Sequence, residues 1–283
     1  MKNHRTTRWI AGLGLLLLAG LACLFALIFL RQPGARAGSS FLGFESEDYK
    51  VYPTAASPLD FYGRVYQRTR IERIKLQPAD TAAAASALVG FPVRSPGQLP
   101  QGMEPVSSYD TQGKHSIEVE FNFAEARRIL SESGLPVDRL PAGDQPMLVT
   151  VDIPPGVVIH QSQGDSWFTL LQGKSGQVHQ PEGSDPAALE ALSELGLRKL
   201  GLTEEPARLL SQELGWAAFL VTPPADMFHA ELASVNGVPA LVLYQSGSDT
   251  GMHAVVWVEA GVMYGLYGSL PVAELLEMAE SLE

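Results

Sequence analysis

Apolar positions follow three different patterns along this chain, and each predicts a different kind of element. The first is continuous: from Trp9 to Leu30, twenty-two residues carry no charged or strongly polar side chain. At about 1.5 Å per helical residue the run reaches roughly 33 Å, enough to cross a hydrocarbon core of about 30 Å. The second pattern alternates. Ile117, Val119, Phe121 and Phe123 are separated by Glu118, Glu120 and Asn122, the period of a half-buried strand, and Leu148–Ile153 and Trp167–Leu171 read as further strands. The third has helical spacing, with Leu189, Leu192 and Leu200 marking one helix from Asp185 to about Leu200. Ala207, Leu210 and Leu214 mark another from Thr203 to about Leu214.

Turn and cap residues punctuate these segments. Asp80 and Thr81 predict the start of a short Ala-rich helix ending at Gly90, and Asn122 with Glu125 makes a capping pair for a helix ending near Gly134. Asn236-Gly237 separates Glu231–Val235 from Val238–Tyr244 and predicts a tight hairpin. A second hairpin is predicted where Ala260-Gly261 separates Ala254–Glu259 from Val262–Tyr267. A terminal helix carries Val272, Leu275, Leu276, Ala279 and Leu282 on one stripe, with Glu274, Glu277 and Glu280 outside. The expected fold class is therefore α+β, antiparallel meandering sheet or sheets with flanking helices, preceded by one N-terminal transmembrane helix.

The divisions follow. Residues 1–8 form a cytoplasmic head, 9–30 the transmembrane helix, 31–78 a tether with a basic juxtamembrane segment, and 79–283 an extracytoplasmic α+β domain. Pro33, Pro53 and Pro58 suit the tether. Arg64, Arg68, Arg70, Arg73 and Lys75, interrupted by Glu72, read as a solvated face docking on the acidic domain beside it rather than as a headgroup-binding patch. A cleaved signal peptide would have an apolar run of about 7–15 residues, so the length favours a retained anchor even though Ala35-Arg36-Ala37 resembles a cleavage site. Cys23 sits in a faint lipoprotein-like context, but apolar residues follow it where a polar tether belongs. Lys2, Arg5 and Arg8 before the span, against Arg31 and Arg36 after it, orient the N-terminus to the cytoplasm and the bulk of the chain outside.

Charge narrows the partners. Three of the twenty basic residues precede the span and no acidic one does, so residues 31–283 carry seventeen basic against thirty-one acidic side chains, a net charge of −14. Nucleic-acid binding depends on neutralising phosphates and is excluded on this balance, as is broad adhesion to anionic lipid. Cys23, inside the span, is the only cysteine, which rules out an intramolecular disulfide or a thiolate metal site.

Candidate chemistry is sparse. His115, His160, His179, His229 and His253 show no paired ligand spacing, although His229 and His253 are placed to meet across the last sheet. Glu118 and Glu120 share a strand face and read as its wet side rather than as an acid/base pair. Gln245-Ser246-Gly247-Ser248-Asp249 is a turn-rich loop, not a nucleophile elbow. Trp167, Trp216, Trp257, Tyr264 and Tyr267 read as core aromatics that alternatively line an apolar cavity. No catalytic, metal or cofactor residue is assigned and no cofactor is expected.

Phe91-Pro92-Val93 followed by Pro96, Leu99-Pro100 and Gly102 resembles the start of the domain of unknown function 4367 family. The stretch Val256 to Tyr264, then Gly268, Glu274-Leu275-Leu276 and Ala279-Glu280-Ser281-Leu282, resembles its end. The middle, from Arg127 through Gly134-Leu135-Pro136 to Pro154-Pro155, is similar to membrane-anchored bacterial relatives. The likeness spans about residues 81–283. It implies a bacterial extracytoplasmic domain, attached in some relatives to anti-sigma regulators or to sporulation-associated and lipoprotein-sorting-like proteins, and it carries no catalytic residues. Eight residues before the span are too few for a sigma-binding domain.

The leading expectation is a single-pass, non-enzymatic cell-envelope sensor or interaction domain with a membrane or envelope protein partner, bound to the bilayer through residues 9–30. The alternative is a lipid- or lipoprotein-handling domain with an apolar cavity. An enzyme of undetected type comes third.

Overall fold

A computed structural model describes residues 49–53, 66–72, 76–182, 184–185, 187–215, 228–245 and 252–283. The apolar run 9–30 lies outside the described residues, among which no helix is long and apolar enough to cross a membrane. The elements are β1 (Tyr49–Pro53), β2 (Tyr66–Glu72), β3 (Leu76–Ala79), α1 (Ala82–Val89), β4 (Tyr109–Gln112), β5 (His115–Phe121), α2 (Phe123–Glu132), β6 (Met147–Ile153), β7 (Gly156–Gln163), β8 (Ser166–Lys174) and β9 (Gln177–His179). There follow α3 (Ala187–Lys199), α4 (Glu204–Leu214), β10 (Phe228–Val235), β11 (Val238–Gln245), β12 (His253–Glu259), β13 (Val262–Gly268) and α5 (Val272–Glu280). The fold is α+β with two antiparallel sheets. Eight strands run in the order β10-β11-β12-β13-β8-β7-β4-β3, and five in the order β1-β2-β5-β6-β9.

The two sheets share strands end to end. Gln112 lies opposite Gly156 and, three residues on, His115 lies opposite Ile153, so the register of β4/β5 against β7/β6 carries through without a slip. The same holds for β7/β6 against β8/β9, with Gly156 opposite Gly173 and Asp152 opposite Gln177. It holds again for β2/β3, with Ile71 opposite Ile117 and Leu76 opposite Gln112. At the break stand Pro154 and Pro155, which have no N–H to give to a ladder. The pair of prolines thus divides one long strand arrangement into two hydrogen-bonded sheets.

Local signals explain most elements. Thr81, not Asp80, caps α1, its hydroxyl accepting from the Ala84 N–H at 3.1 Å, and Gly90 ends the helix at φ +76°. Asn122 Oδ1 accepts from the Glu125 N–H at 3.0 Å and starts α2. Phe123 therefore opens a helix instead of extending the alternating strand, yet it stays buried in the same core. Asn236 and Gly237 both have positive φ, as the two-residue hairpin turn requires. Ala260, at φ +51°, takes the same conformation in the second hairpin without glycine's freedom.

Helices cover both faces of the larger sheet. One face packs Leu241, Leu243, Ala254 and Val256 against α4 and the C-terminal turn of α3, and the other packs Val242, Val255, Trp257 and Leu266 against α1 and α5. The smaller sheet buries Ile117, Val119, Val149 and Val151 against α2 and the first half of α3. So α3 serves both cores and is buried along nearly its whole length, Glu194 included. On α5 the buried positions are Leu275, Met278 and Ala279, while Leu276 is only half-buried; the stripe is rotated from the expected one toward Met278. The residues after α5 return to the proline-rich stretch: Ser95 and Glu283 exchange backbone hydrogen bonds of 2.9 and 3.1 Å, and Gly97 donates to Ser281.

Strands β1 and β2 fall inside 31–78, the stretch expected to be a tether; β1 pairs with β2, and β2 with β5. β3, ending at Ala79, pairs with β4 in the larger sheet. Arg70 stands opposite Glu118 and Arg68 opposite Glu120, whereas Arg64, Arg73 and Lys75 of the basic run lie outside the described residues.

Candidate functional site

The five candidate histidines fall in four separate places. His115 is buried at the start of β5, its Nδ1 3.2 Å from the Gly113 carbonyl oxygen. His179 on β9 lies 3.5 Å from Asp152, which also accepts from Ser116 at 2.6 Å and pairs with Lys114 at 3.2 Å. Those donors, Ser116 first, hold the Asp152 carboxyl below the ordinary aspartate range. This cluster sits on the polar face of the smaller sheet, together with Glu118 and Glu120 on the neighbouring strand.

His229 and His253 are brought onto one face of the larger sheet, as expected, but Tyr244 stands between them. The register places His229 opposite Tyr244 and Tyr244 opposite His253. The His229 ring stacks on Tyr244 at 4.7 Å, and His253 meets the same phenol edge-on at 5.9 Å. A bidentate metal site needs both imidazoles on one ion, and the intervening ring prevents it. Burial, and next to it the charge of His229, lowers the His253 pKa. Tyr244 donates to Glu231 at 3.1 Å, and burial with that carboxylate raises its own pKa.

The densest polar group in the interior lies on the opposite face, where sequence reasoning assigned nothing as a set. His160 Nδ1 is 2.8 Å from Thr169 Oγ1, and Thr169 in turn hydrogen-bonds the phenol of Tyr267. Trp167 closes this chain, with its ring 6.2 Å from His160 and 5.8 Å from Tyr267. Burial drives the His160 pKa down and the Tyr267 pKa up, so both members stay neutral near pH 7. On β4, along the same face, Asp110 is half-buried with its pKa raised by desolvation. Gln112 is 2% exposed, with neither amide atom hydrogen-bonded. The signal for this group was the polar residue recurring on a strand face that is otherwise apolar, and it shows only once the register of β4, β7, β8 and β13 is known.

The remaining candidates separate. Trp257 and Tyr264 stack at 5.1 Å on the face that packs against α1 and α5, whereas Trp167 and Tyr267 face α3 and α4, so the four rings do not line one cavity. Arg94, held to the sheet through Gln172 at 2.8 and 2.7 Å, reaches Glu259 at 2.7 Å and lies over the Tyr264 ring. Glu194, buried on α3, is paired with Arg139 at 2.6 Å. Trp216 and residues 246–249 of the serine-containing loop lie outside the described residues. Among the described residues no group of three or more His, Cys, Asp and Glu side chains is placed to hold a metal ion. Compared with protein-family models, curated proteins and solved structures, the chain matches none of them.

Proposed function

We propose that this chain is a single-pass membrane protein whose domain beyond residue 31 works outside the membrane as an interaction or sensor domain. It binds a membrane or envelope protein rather than transforming a substrate. The apolar run 9–30 and its flanking charges support the anchor and its orientation. The observation that carries the binding reading is how Glu194 and the His160–Thr169–Tyr267 chain are used. Glu194 is matched by Arg139, and His160 and Tyr267 are tied through Thr169 and kept neutral. Groups spent on one another inside a core stabilise a scaffold, whereas an acid/base pair needs a path to a substrate.

Packing weighs against the lipid-carrier alternative. Trp257, Phe168, Leu170 and Ile159 fill one side of the larger sheet, and Leu241, Leu243 and Val256 the other, all fully buried. The full chain is expected to stay with membranes after an alkaline wash, with protease cutting residues beyond 40 only from outside. Cross-linking in the membrane followed by mass spectrometry is expected to retain an envelope protein. A soluble mature form beginning at Gly38 overturns the anchor, and retained acyl lipid in place of protein overturns the interaction reading.

A further inference from the structure

Two polar side chains of β4 stand apart from the matched groups of the interior. Asp110 and Gln112 alternate with Tyr109 and Thr111, so both lie on the sheet face of Val158 and Leu171, the core that α4 and the end of α3 complete. Gln112 is 2% exposed, and neither its amide oxygen nor its amide nitrogen is hydrogen-bonded. Asp110 makes no hydrogen bond or ion pair among the described residues, and burial alone raises its pKa. Both groups are costly while unmatched. The register puts Gly156 opposite Gln112 and Gly173 opposite Gly156, so at this level β7 and β8 send no side chain toward the amide. Asp110 is only half-buried and keeps the pair in reach of solvent.

The unmet needs of these two side chains define a ligand. Asp110 lacks a positive charge, and Gln112 lacks both an acceptor for its N–H and a donor for its carbonyl. Water brings no charge, and a metal ion leaves the Gln112 N–H without an acceptor. An ammonium next to a carbonyl meets all three needs. Residues two apart on a strand stand about 6.6 Å apart. An ammonium with charge-assisted hydrogen bonds of about 2.8 Å on either side spans about 5.6 Å, so one nitrogen reaches both side chains. We propose that Asp110 and Gln112 bind the amino terminus of a peptide. The ammonium donates to the Asp110 carboxylate and to Gln112 Oε1, and the first peptide carbonyl accepts from Gln112 Nε2. A free amino acid fits less well, because its carboxylate would need a cation. The other interior polar groups of this face, His160, Thr169 and Tyr267, are uncharged near pH 7 and hydrogen-bonded to one another. Leu76, Val158 and Leu171 surround the pair, so the first residue of the peptide is apolar. Such a site gives the sensing domain a ligand, and it stands or falls apart from the anchor and the envelope partner.

Thermal unfolding of the full chain in detergent, with and without small probes, tests this. L-leucinamide carries the ammonium and a neutral carbonyl and is expected to raise Tm with increasing concentration. N-acetyl-L-leucinamide, which lacks the charge, is expected to leave Tm unchanged, and L-leucine to bind more weakly than L-leucinamide. Gln112→Met and Asp110→Asn are each expected to weaken L-leucinamide binding by about tenfold or more. Without probe both variants are expected to melt no lower than the parent, since one removes an unmatched amide and the other an unmatched charge. Binding lost from a chain that melts no lower is not lost through unfolding. No response to L-leucinamide, an equal response to its acetylated form, binding of L-leucine as tight as that of L-leucinamide, or binding unchanged by Gln112→Met each overturns the inference.

Discussion

Leu275 and Leu276 are neighbours on α5 and chemically identical, yet they ought to differ sharply in what they contribute. Leu275 is 0% exposed in the core formed with β12 and β13, whereas Leu276 is half-buried at its margin. Truncating Leu275 to alanine removes three carbons from a closed site, with both the transfer term and the residual cavity to be met. That places the loss at about 3 kcal/mol, within the range of about 2–5 kcal/mol for buried leucines. Leu276→Ala leaves a gap that solvent fills, so only part of the transfer term is lost, on the order of 1 kcal/mol.

For a domain of this size about 3 kcal/mol lowers Tm by roughly 6–12 °C. With a urea m-value of about 3 kcal/mol/M it also moves the midpoint by about 1 M. Equilibrium unfolding of the chain from residue 31 onward, followed by tryptophan fluorescence, reads both. The slope must stay constant across the parent and the two variants for the comparison to hold. A Leu276→Ala loss equal to or larger than that of Leu275→Ala would show that the helix is rotated from the orientation described, and with it the whole packing of α5 on the sheet.

Three further outcomes are expected. A Cβ at Gly268 would overlap the Trp167 carbonyl oxygen and sit 2.9 Å from Phe168 Cα, both backbone atoms, so Gly268→Ala should destabilise by more than about 2 kcal/mol in the same unfolding assay. Asp110 has its pKa raised by burial, which means the ionised carboxylate costs stability at neutral pH and the cost disappears below the unfolded-state value near pH 4. Asp110→Asn should therefore raise Tm at pH 7 and lose that advantage by about pH 3, and an advantage that grows in acid would reverse the sign. A chain beginning at residue 79 lacks β1, β2 and the body of β3 and bares the edges of β4 and β5, so it should unfold at lower urea than one beginning at residue 31, whereas equal midpoints would remove those strands from the cooperative unit.

How much of this was legible in the sequence depends on whether the cause was local. Asn236-Gly237 states its turn type in two residues, and Thr81 with Gly90 brackets a helix by cap chemistry alone; these elements lie where the sequence placed them. β2 was illegible for the opposite reason. Its alternation is carried by Arg68, Arg70 and Glu72 against Thr69 and Ile71, a pattern dominated by charge, and what makes it a strand is backbone pairing with β5, fifty residues later. The α5 stripe was misjudged by one position because Met278 and Leu276 are equally apolar in sequence, and only the direction of the sheet beneath the helix chooses between them. The His160–Thr169–Tyr267 chain draws on three strands, two of them a hundred residues apart, so no window along the sequence contains it.

The same non-local logic explains why α3 breaks the ordinary amphipathic rule. A helix lying on one sheet keeps a polar face for solvent, but α3 begins against the smaller sheet through Ala188, Leu189 and Leu192 and ends against the larger one through Leu197. Different faces are buried at its two ends, so residues that a single-stripe reading assigns to solvent, Ser193 and Glu194 among them, are enclosed. Each then needs an internal partner: Ser193 Oγ donates to the Leu189 carbonyl at 2.9 Å, and Glu194 accepts from Arg139. Pro154-Pro155 and α3 therefore act on the same junction in opposite senses, one interrupting the hydrogen bonds between the two sheets and the other joining their cores. α3 thus contributes side chains to both cores, Leu197 to the one on the larger sheet and Ala188, Leu189 and Leu192 to the one on the smaller.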